Sequence, residues 1–440
     1  MSTQNKLQGA REIALELLLK AEKSKQFSNI ALDKALQKSE LSSADRRLVS
    51  ALFYGVIERR ITLDHRLASL SSRPLSDVDT HTLTVLRLGL YQLIFMDKIP
   101  KHAAINESVS LCPRRTSGFV NAILRAHLRT GETPLPSKNS NPIEYLSVRF
   151  SVGTPLCKKF LEVYGFDTAQ KILAAFCQTP PITLRVNTLK ISREELANRI
   201  DGASLTQISP HGLRVKGSVR ELYGFEEGLF TVQDEASQIC VEALDTRAGM
   251  KVMDICACPG SKSFGAAMSM NNEGEVFSFD LHESKLSLIL SGAERLGIDI
   301  IRIAKQDGRA PLEEHFRTAD RVICDVPCSG FGVLAKKPEL RYKNPDESAS
   351  LPDIQLDILN NACQYVKDGG ILLYSTCTVF PEENFKNVER FLKIHREFEL
   401  TPFTVGNLNA EKGYITLLPN EYPTDGFFIA KLTKRIKNAT

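Results

Sequence analysis

Between Arg11 and about Arg129, apolar residues recur every three or four positions. Ile13, Leu15, Leu18 and Leu19 form one run, and Leu83, Val85, Leu86, Leu90, Leu93 and Ile94 form another. That spacing lines one face of an α-helix, so it predicts an all-helical N-terminal unit. Proline interrupts the pattern in SSRPLSD (Ser71 to Asp77) and at Ile99-Pro100, because its ring disfavours helical backbone at the preceding residue. The stretch TPLPSKNSNP (Thr133 to Pro142), rich in Pro, Ser and Asn, reads as a linker. From about Ile143 to Cys240, helical patterns (Leu156 to Tyr164, Thr168 to Cys177) mix with short β-like runs at Ile182 to Val186, Gly212 to Val215 and Leu229 to Val232. A small α/β unit is expected there. No internal repeat is visible.

After Gly249 the alternation becomes regular. KVMDIC, EVFSFD, IIRIAK, RVICD and GILLYSTC are apolar runs of strand length, separated by helical or loop segments. Strands alternating with helices imply a doubly wound parallel sheet. Two late apolar segments, Gly413 to Leu418 and Gly426 to Leu432, are close enough in sequence to pair as antiparallel strands at one edge. The expected organisation is an all-helical domain over residues 1–135, a small α/β domain over 143–240 and a Rossmann-like α/β domain over 241–435.

Charge adds an asymmetry to this picture. The net formal charge is only +4, but residues 1 to 140 carry 21 Lys and Arg against 13 Asp and Glu, and the remainder is slightly acidic. A basic N-terminal unit suits an acidic partner such as nucleic acid, although it also suits an ordinary solvated helix face. The first residues lack the apolar core and cleavage site of a signal peptide, and no stretch is long enough to span a membrane. Ten irregularly spaced cysteines then point to reduced thiols in the cytoplasm rather than to a disulfide framework. Neither a membrane nor an obligate protein partner is expected.

In an open α/β sheet, ligands bind beyond the carboxyl ends of the strands. Acidic residues recur at those ends. Asp254 lies late in the first strand and leads into CACPGSKS (Cys256 to Ser263), where Gly260 permits close backbone approach. Asp280 ends the second strand about 20 residues after that glycine, a spacing that suits a carboxylate accepting from both ribose hydroxyls. Asp307 follows the third strand, where it could meet an adenine amino group, and Asp325 ends the fourth. The loop matches neither GxGxxG nor GxxxxGK[ST], so a dinucleotide or a nucleoside triphosphate is poorly supported. S-adenosylmethionine, which has an adenosine but no phosphate, fits better. Any one of these aspartates could merely cap a helix or turn; four in register with a glycine loop argue for a ligand.

The fourth and fifth strands run into DVPCSG (Asp325 to Gly330) and STCT (Ser375 to Thr378), which would put Cys328 and Cys377 on opposite walls of one cleft. Cys157, Cys177, Cys240 and Cys363 lie in apolar patterns and read as small packing residues. Cys256, Cys258, Cys324 and Cys328 lack the spacing of common zinc modules, so no metal is expected. A thiol does have a use in methylating carbon 5 of cytosine, which is a poor nucleophile until a thiolate adds at carbon 6 and makes the ring an enamine. A free thiol with pKa about 8.5 is mostly protonated at neutral pH, so local activation would help. Asp325, sharing a proton with ring nitrogen N3, could stabilise the adduct.

Four segments carry a family resemblance: DICACPGSK (Asp254 to Lys262), DVPCSG, STCT and DGFFIAKL (Asp425 to Leu432). Together they resemble the RNA cytosine-C5 methyltransferases of the NOL/NOP/Sun family. That family usually reads CAAPGGKT in the first loop, so Cys258, Ser261 and Ser263 are departures. VQDEAS (Val232 to Ser237) and PPITLRVNTLK (Pro180 to Lys190) resemble the segments that precede the catalytic domain. YGVIERR (Tyr54 to Arg60), RLGLYQLIFMDKIPKHAAINESV (Arg87 to Val109) and SGFVNAILR (Ser117 to Arg125) resemble the NusB-like RNA-binding fold. Nearly the whole chain is covered.

The resemblance implies a class I methyltransferase domain with S-adenosylmethionine as donor. Cys256, Ala257, Cys258, Pro259, Gly260, Ser261, Lys262, Asp280, Asp307 and Asp325 would line its pocket. It also implies Cys377 as the nucleophile, Cys328 as the residue assisting release, and small-subunit rRNA, naked or in a partly assembled particle, as partner. The target base must leave its stack to reach Cys377. The competing readings are a noncatalytic NusB-like RNA-binding factor, which would need neither thiol, and cytosine-C5 methylation of another RNA.

Overall fold

The computed structural model describes residues 9–24 and 29–436. The chain divides into two compact units: one runs through Ala174 and includes Lys337–Asn344, and the other comprises Ala175–Lys336 and the residues from Pro345 onward.

The first unit is helical: α1 (Ala10–Ser24), α2 (Asn29–Lys38), α3 (Ser43–Leu70), α4 (Thr80–Phe95), α5 (Lys101–Ser110), α6 (Arg114–Thr130), α7 (Pro142–Phe150) and α8 (Thr154–Ala175). Side-chain caps set several starts. Ser42 accepts from the Asp45 N–H ahead of α3 and Asp79 from the Thr82 N–H ahead of α4, each satisfying a donor that the first helical turn leaves unpaired. Of the predicted stripes, Ile13, Leu15, Leu18, Val85, Leu86 and Leu90 are buried in one core with Leu52, Phe53, Val56 and Leu63, while Leu19, Leu83, Leu93 and Ile94 pack against it partly buried. The proline breaks fall between α3 and α4 and directly ahead of α5. The two helical patterns read at Leu156–Tyr164 and Thr168–Cys177 are two helical stretches of α8 separated at Gly165, whose φ of 70° and ψ of 169° are not helical, and α7 and α8 group with the helical unit. Lys337–Asn344 completes this unit. Arg341 Nη1 donates to the Phe150 carbonyl at 3.0 Å, the Tyr342 hydroxyl donates to the Ile57 carbonyl, and the Arg60 guanidinium lies 3.9 Å from the Tyr342 ring centre. No described helix is long and apolar enough to cross a membrane.

The second unit opens with β1 (Ile182–Val186), α9 (Arg193–Arg199), β2 (Ser204–Leu205), β3 (Gly212–Val215) and β4 (Phe230–Val232), which form an antiparallel sheet in the order β2-β3-β1-β4. Helix α10 (Glu235–Ala243) leads to the large sheet. Its parallel part is built from β5 (Lys251–Asp254), α11 (Ser261–Ser269), β6 (Glu275–Asp280), α12 (Glu283–Leu296), β7 (Ile301–Lys305), β8 (Ala319–Asp325), α13 (Leu351–Ala362) and β9 (Val366–Thr376). Then follow α14 (Phe385–Ile394), β10 (Phe398–Leu400), a small hairpin of β11 (Phe403–Val405) and β12 (Leu408–Ala410), β13 (Tyr414–Leu417) and β14 (Phe427–Lys434). The order is β10-β14-β9-β8-β5-β6-β7, with β14 antiparallel to β9 and β13 antiparallel to β14, as the late apolar segments predict.

Alternate residues of single strands enter opposite layers, as the period of two requires. Val252, Ile323 and Leu373 join the core with α10, α11 and α12, whereas Met253, Val322 and Leu372 join that with α13 and α14. The chain leaves β5 toward β6 and β7, then returns on the other side through β8 and β9. That reversal opens the sheet's carboxyl edge between β5 and β8, where Asp254 and Asp325 lie.

Candidate active site

The loop after β5 closes tightly before α11. The Ala257 N–H donates to the Phe279 carbonyl at 2.8 Å, and Gly260 adopts φ 105°. A Cβ at Gly260 would meet the Phe264 ring at 2.6 Å, so both conformation and space favour glycine there. Buried Asp254 accepts from Ser263 Oγ at 2.8 Å, and Ser263 in turn accepts from Ser278 Oγ at 2.8 Å. Its other oxygen, Oδ1, is buried without a hydrogen-bond partner in the protein. Burial, reinforced by the nearby Asp325, pushes the Asp254 carboxyl up to about 7 against the lowering effect of Ser263.

The other strand-end carboxylates are held differently. Asp280 accepts from the His282 N–H at 2.9 Å and the Cys258 N–H at 3.3 Å, which ties the end of β6 to the first loop. Asp307 pairs with Arg309 of its own loop at 2.7 Å, and the Arg309 hydrogen bonds hold its carboxyl below the usual range. Asp325 receives Lys262 Nζ at 2.6 Å on one oxygen and Ser375 Oγ at 2.8 Å on the other. Lys262, expected only as part of the cofactor loop, thus reaches across to the end of β8. Burial disfavours its ammonium, yet Asp325 outweighs that and raises the lysine pKa.

Cys328 and Cys377 do not face each other across an open cleft. Their sulfurs are 3.1 Å apart, and the Cys377 N–H points at the Cys328 sulfur at 3.2 Å. The hydrogen bond to Cys377 comes first, followed by burial, in holding the Cys328 thiol well above its ordinary pKa. The Cys328 thiol is therefore held more firmly protonated than an ordinary one, and either sulfur can be the donor in the contact. Elsewhere burial alone or first pushes Cys157, Cys240 and Cys363 up to about 12, as befits packing residues. Cys258 is likewise pushed up to about 12, by burial and then by Asp280.

A polar layer beneath the two thiols fixes their loops. Glu383 Oε2 accepts from the Ser329 N–H at 2.9 Å and from Gln355 Nε2 at 2.9 Å, and Gln355 also donates to the Pro327 carbonyl at 3.0 Å. Asn384 accepts from Thr376 Oγ1 and donates to the Thr378 carbonyl at 3.0 Å. The sequence reading missed Gln355, Glu383 and Asn384. The run PEEN, two residues beyond the STCT loop, was the available signal for Glu383 and Asn384, since three polar residues so soon after a buried strand need partners.

Three family profiles match the chain: "16S rRNA methyltransferase RsmB/F" over residues 241–433, "NusB family" over 8–129, and "Methyltr_RsmF/B-like, ferredoxin-like domain" over 155–220. A Bacillus subtilis (strain 168) protein named "Probable ribosomal RNA small subunit methyltransferase B" is 36% identical, over 97% of this chain and 98% of its own length. The chain belongs to the RsmB/F methyltransferase family. An Escherichia coli O7:K1 protein named "Ribosomal RNA small subunit methyltransferase B" is 32% identical over 99% of this chain and 100% of its own. The crystal structure of PH0851 superposes with a TM-score of 0.77 at 27% identity, covering 96% of this chain and 98% of the other. The RsmB/F match spans the large sheet and both thiol loops, and the NusB match falls on α1 to α6. A Rossmann-like methyltransferase domain preceded by a small α/β domain and a NusB-like helical domain, the expected fold class, is therefore what this RsmB/F protein has.

Proposed function

We propose that this RsmB/F family member methylates carbon 5 of a cytosine in small-subunit rRNA, taking the methyl group from S-adenosylmethionine and passing through a covalent adduct on Cys377. The observation that carries the reading is the contact between two thiols at the ends of adjacent parallel strands, where Lys262 and Ser375 also hold Asp325. Relatives named for small-subunit rRNA support the substrate class. The basic N-terminal residues 1–135 suit docking on RNA phosphates, which position a nucleic acid without reading its bases. Residues 143–240 then precede the catalytic residues 241–435. Ten thiols suit work in the reducing cytoplasm.

The pocket residues fit the methyl donor. Asp254 Oδ1 is a buried acceptor that the protein leaves unused, and Gly260 allows close backbone approach. Cys256, Ala257, Cys258, Pro259 and Ser261 would surround the donor's methionine part, Asp280 would take the ribose hydroxyls and Asp307 the adenine edge. When bound, S-adenosylmethionine supplies an electrophilic methyl carbon on a sulfonium.

Cys377, as thiolate, adds to carbon 6 of the extruded cytosine and converts the ring to an enamine. The proton that the Cys377 thiol gives up is placed on N3, and the Asp325 carboxylate, held by Lys262 and Ser375, accepts a hydrogen bond from that N3–H and so stabilises the adduct. Carbon 5 then bonds the methyl carbon, and the methyl–sulfur electron pair stays with the donor's sulfur. A base removes the carbon-5 proton, that electron pair re-forms the C5–C6 double bond, and the Cys377 sulfur leaves. Cys328, protonated against that sulfur, assists release.

The test is methyl transfer from labelled S-adenosylmethionine to small-subunit rRNA, with the product mapped by bisulfite sequencing. Cys377→Ala should fall to background, whereas Cys328→Ala should accumulate a covalent protein–RNA species on a denaturing gel. Full activity in Cys377→Ala would remove the nucleophile.

A further inference from the structure

Three segments far apart in sequence meet on one ammonium group. Lys336 Nζ donates to Asp234, in VQDEAS, at 2.5 Å and to Asp425, in DGFF, at 2.8 Å. Both carboxylates are largely buried, and Asp234 also caps α10 and accepts from the Asp425 N–H at 3.2 Å. Burial opposes the Lys336 charge, but the two carboxylates overcome it and raise its pKa. A buried ion cluster of this kind is weak evidence for stability, because desolvation offsets most of the Coulomb attraction. Its position is more telling.

Lys336 ends the loop that begins at Cys328. Between them the chain has no helix or strand and is held at several places, among them the Ser329 Oγ bond to Thr378 Oγ1 at 3.0 Å and the Phe331 ring set edge-on against Phe380. Near its start, Ser329 is held by Glu383. In its middle, the Gly332 N–H donates to the Cys377 carbonyl at 2.9 Å, and the Gly332 carbonyl accepts from the Gly426 N–H at 2.7 Å. At its end stands the Lys336 cluster. The dipeptide Asp425-Gly426 therefore grips the loop twice: by backbone at Gly332 and by carboxylate at Lys336. The approach is close enough that a Cβ on Gly332 would lie 1.9 Å from the Gly426 carbonyl oxygen and 2.8 Å from that of Cys377.

We propose that Lys336, clamped by Asp234 and Asp425, is a positioning residue for the thiol pair. It holds the Cys328–Lys336 loop so that Gly332 keeps the Cys377 carbonyl and the two sulfurs stay in contact. The proposal rests on the reading of Cys377 and Cys328 as the reacting thiols. Without the ammonium, two carboxylates face each other and Asp425-Gly426 is released from one of its two grips. The loop end can then move, and the sulfurs separate.

The experiment compares the full chain with Lys336→Met, Lys336→Arg and Asp425→Asn. Dibromobimane, which bridges neighbouring thiols, reports the pair through peptide mapping of the Cys328–Cys377 cross-link. Single-turnover transfer to rRNA reports its use, and calorimetry with S-adenosylmethionine and a thermal melt report the rest of the fold. In Lys336→Met, cross-linking and single-turnover rate should both drop, the latter by roughly tenfold to a hundredfold, with cofactor affinity and melting unchanged. Lys336→Arg, which keeps the charge and can reach both carboxylates, should restore both. Wild-type cross-linking in a folded Lys336→Met, or failure of Lys336→Arg to restore it, overturns the clamp. If Lys336→Met does not fold, Asp425→Asn decides by the same two readouts. Product mapping on the wild type judges carbon-5 methylation separately, because the cross-link requires no reaction.

Discussion

Among ten cysteines, motif position was enough to single out Cys328 and Cys377, but not to show that their sulfurs touch. The hydrogen bond with Cys377 and then burial hold the Cys328 thiol well above its ordinary pKa. The strand-end aspartates were equally legible from sequence, yet only the fold separates their environments: Asp307 is paired within its own loop, Asp325 is held by Lys262, and Asp254 is buried with one oxygen unpartnered. Asp254 has a measurable consequence. Its carboxyl titrates at about 7 in the fold against 3.8 for an ordinary aspartate, so the folded state holds the extra proton between those values. Its contribution is present at low pH and is lost as pH rises through the folded pKa. Urea unfolding at about pH 5 and about pH 8 should show wild type losing on the order of a few kcal/mol more than Asp254→Asn over that interval. Parallel pH dependence in the two proteins would mean that Asp254 is not buried as a carboxyl.

At the level of elements, the strands of the large sheet were the most legible features because each is a short apolar run bounded by polar turns. EVFSFD is β6 to the residue. Sequence gave no hint of the hairpin β11–β12 or of the short β2, whose few residues carry too little pattern to stand out. The break in α8 at Gly165, by contrast, was legible as the gap between two helical patterns, and positive φ at that glycine makes it. Loop packing is where side-chain pattern says least. Gly332 has no conformational need printed in its sequence, but its Cα lies where any Cβ would strike backbone oxygen rather than a yielding side chain. Gly332→Ala should therefore shift the whole loop, destabilising the protein by about 1–3 kcal/mol and reducing methyl transfer more than cofactor binding. Wild-type kinetics in that variant would show that the loop has room to spare.

On the scale of the whole molecule, the helical unit is finished by a segment about 160 residues downstream of α8. Tyr342 bonds Ser151 and Ile57, stacks under Arg60 and packs against the helical core, so Tyr342→Ala removes a partly buried aromatic and its hydroxyl contacts together. A loss of about 3–5 kcal/mol is expected, read by hydrogen exchange as faster opening of α3 and α7, with amides of β5 and β9 as the internal reference. Unchanged protection of α3 would show that Lys337–Asn344 is not needed to close that unit. Periodicity by itself determined the helical N-terminal part, the doubly wound sheet and the strand ends where chemistry would sit, because those depend on patterns local to each element. Tertiary structure alone decided which helices share a core, that Lys262 meets Asp325, that Lys336 meets Asp234 and Asp425, and that two thiols 49 positions apart come into contact. Those are pairings between distant segments, fixed by strand order and loop packing, which no local pattern records.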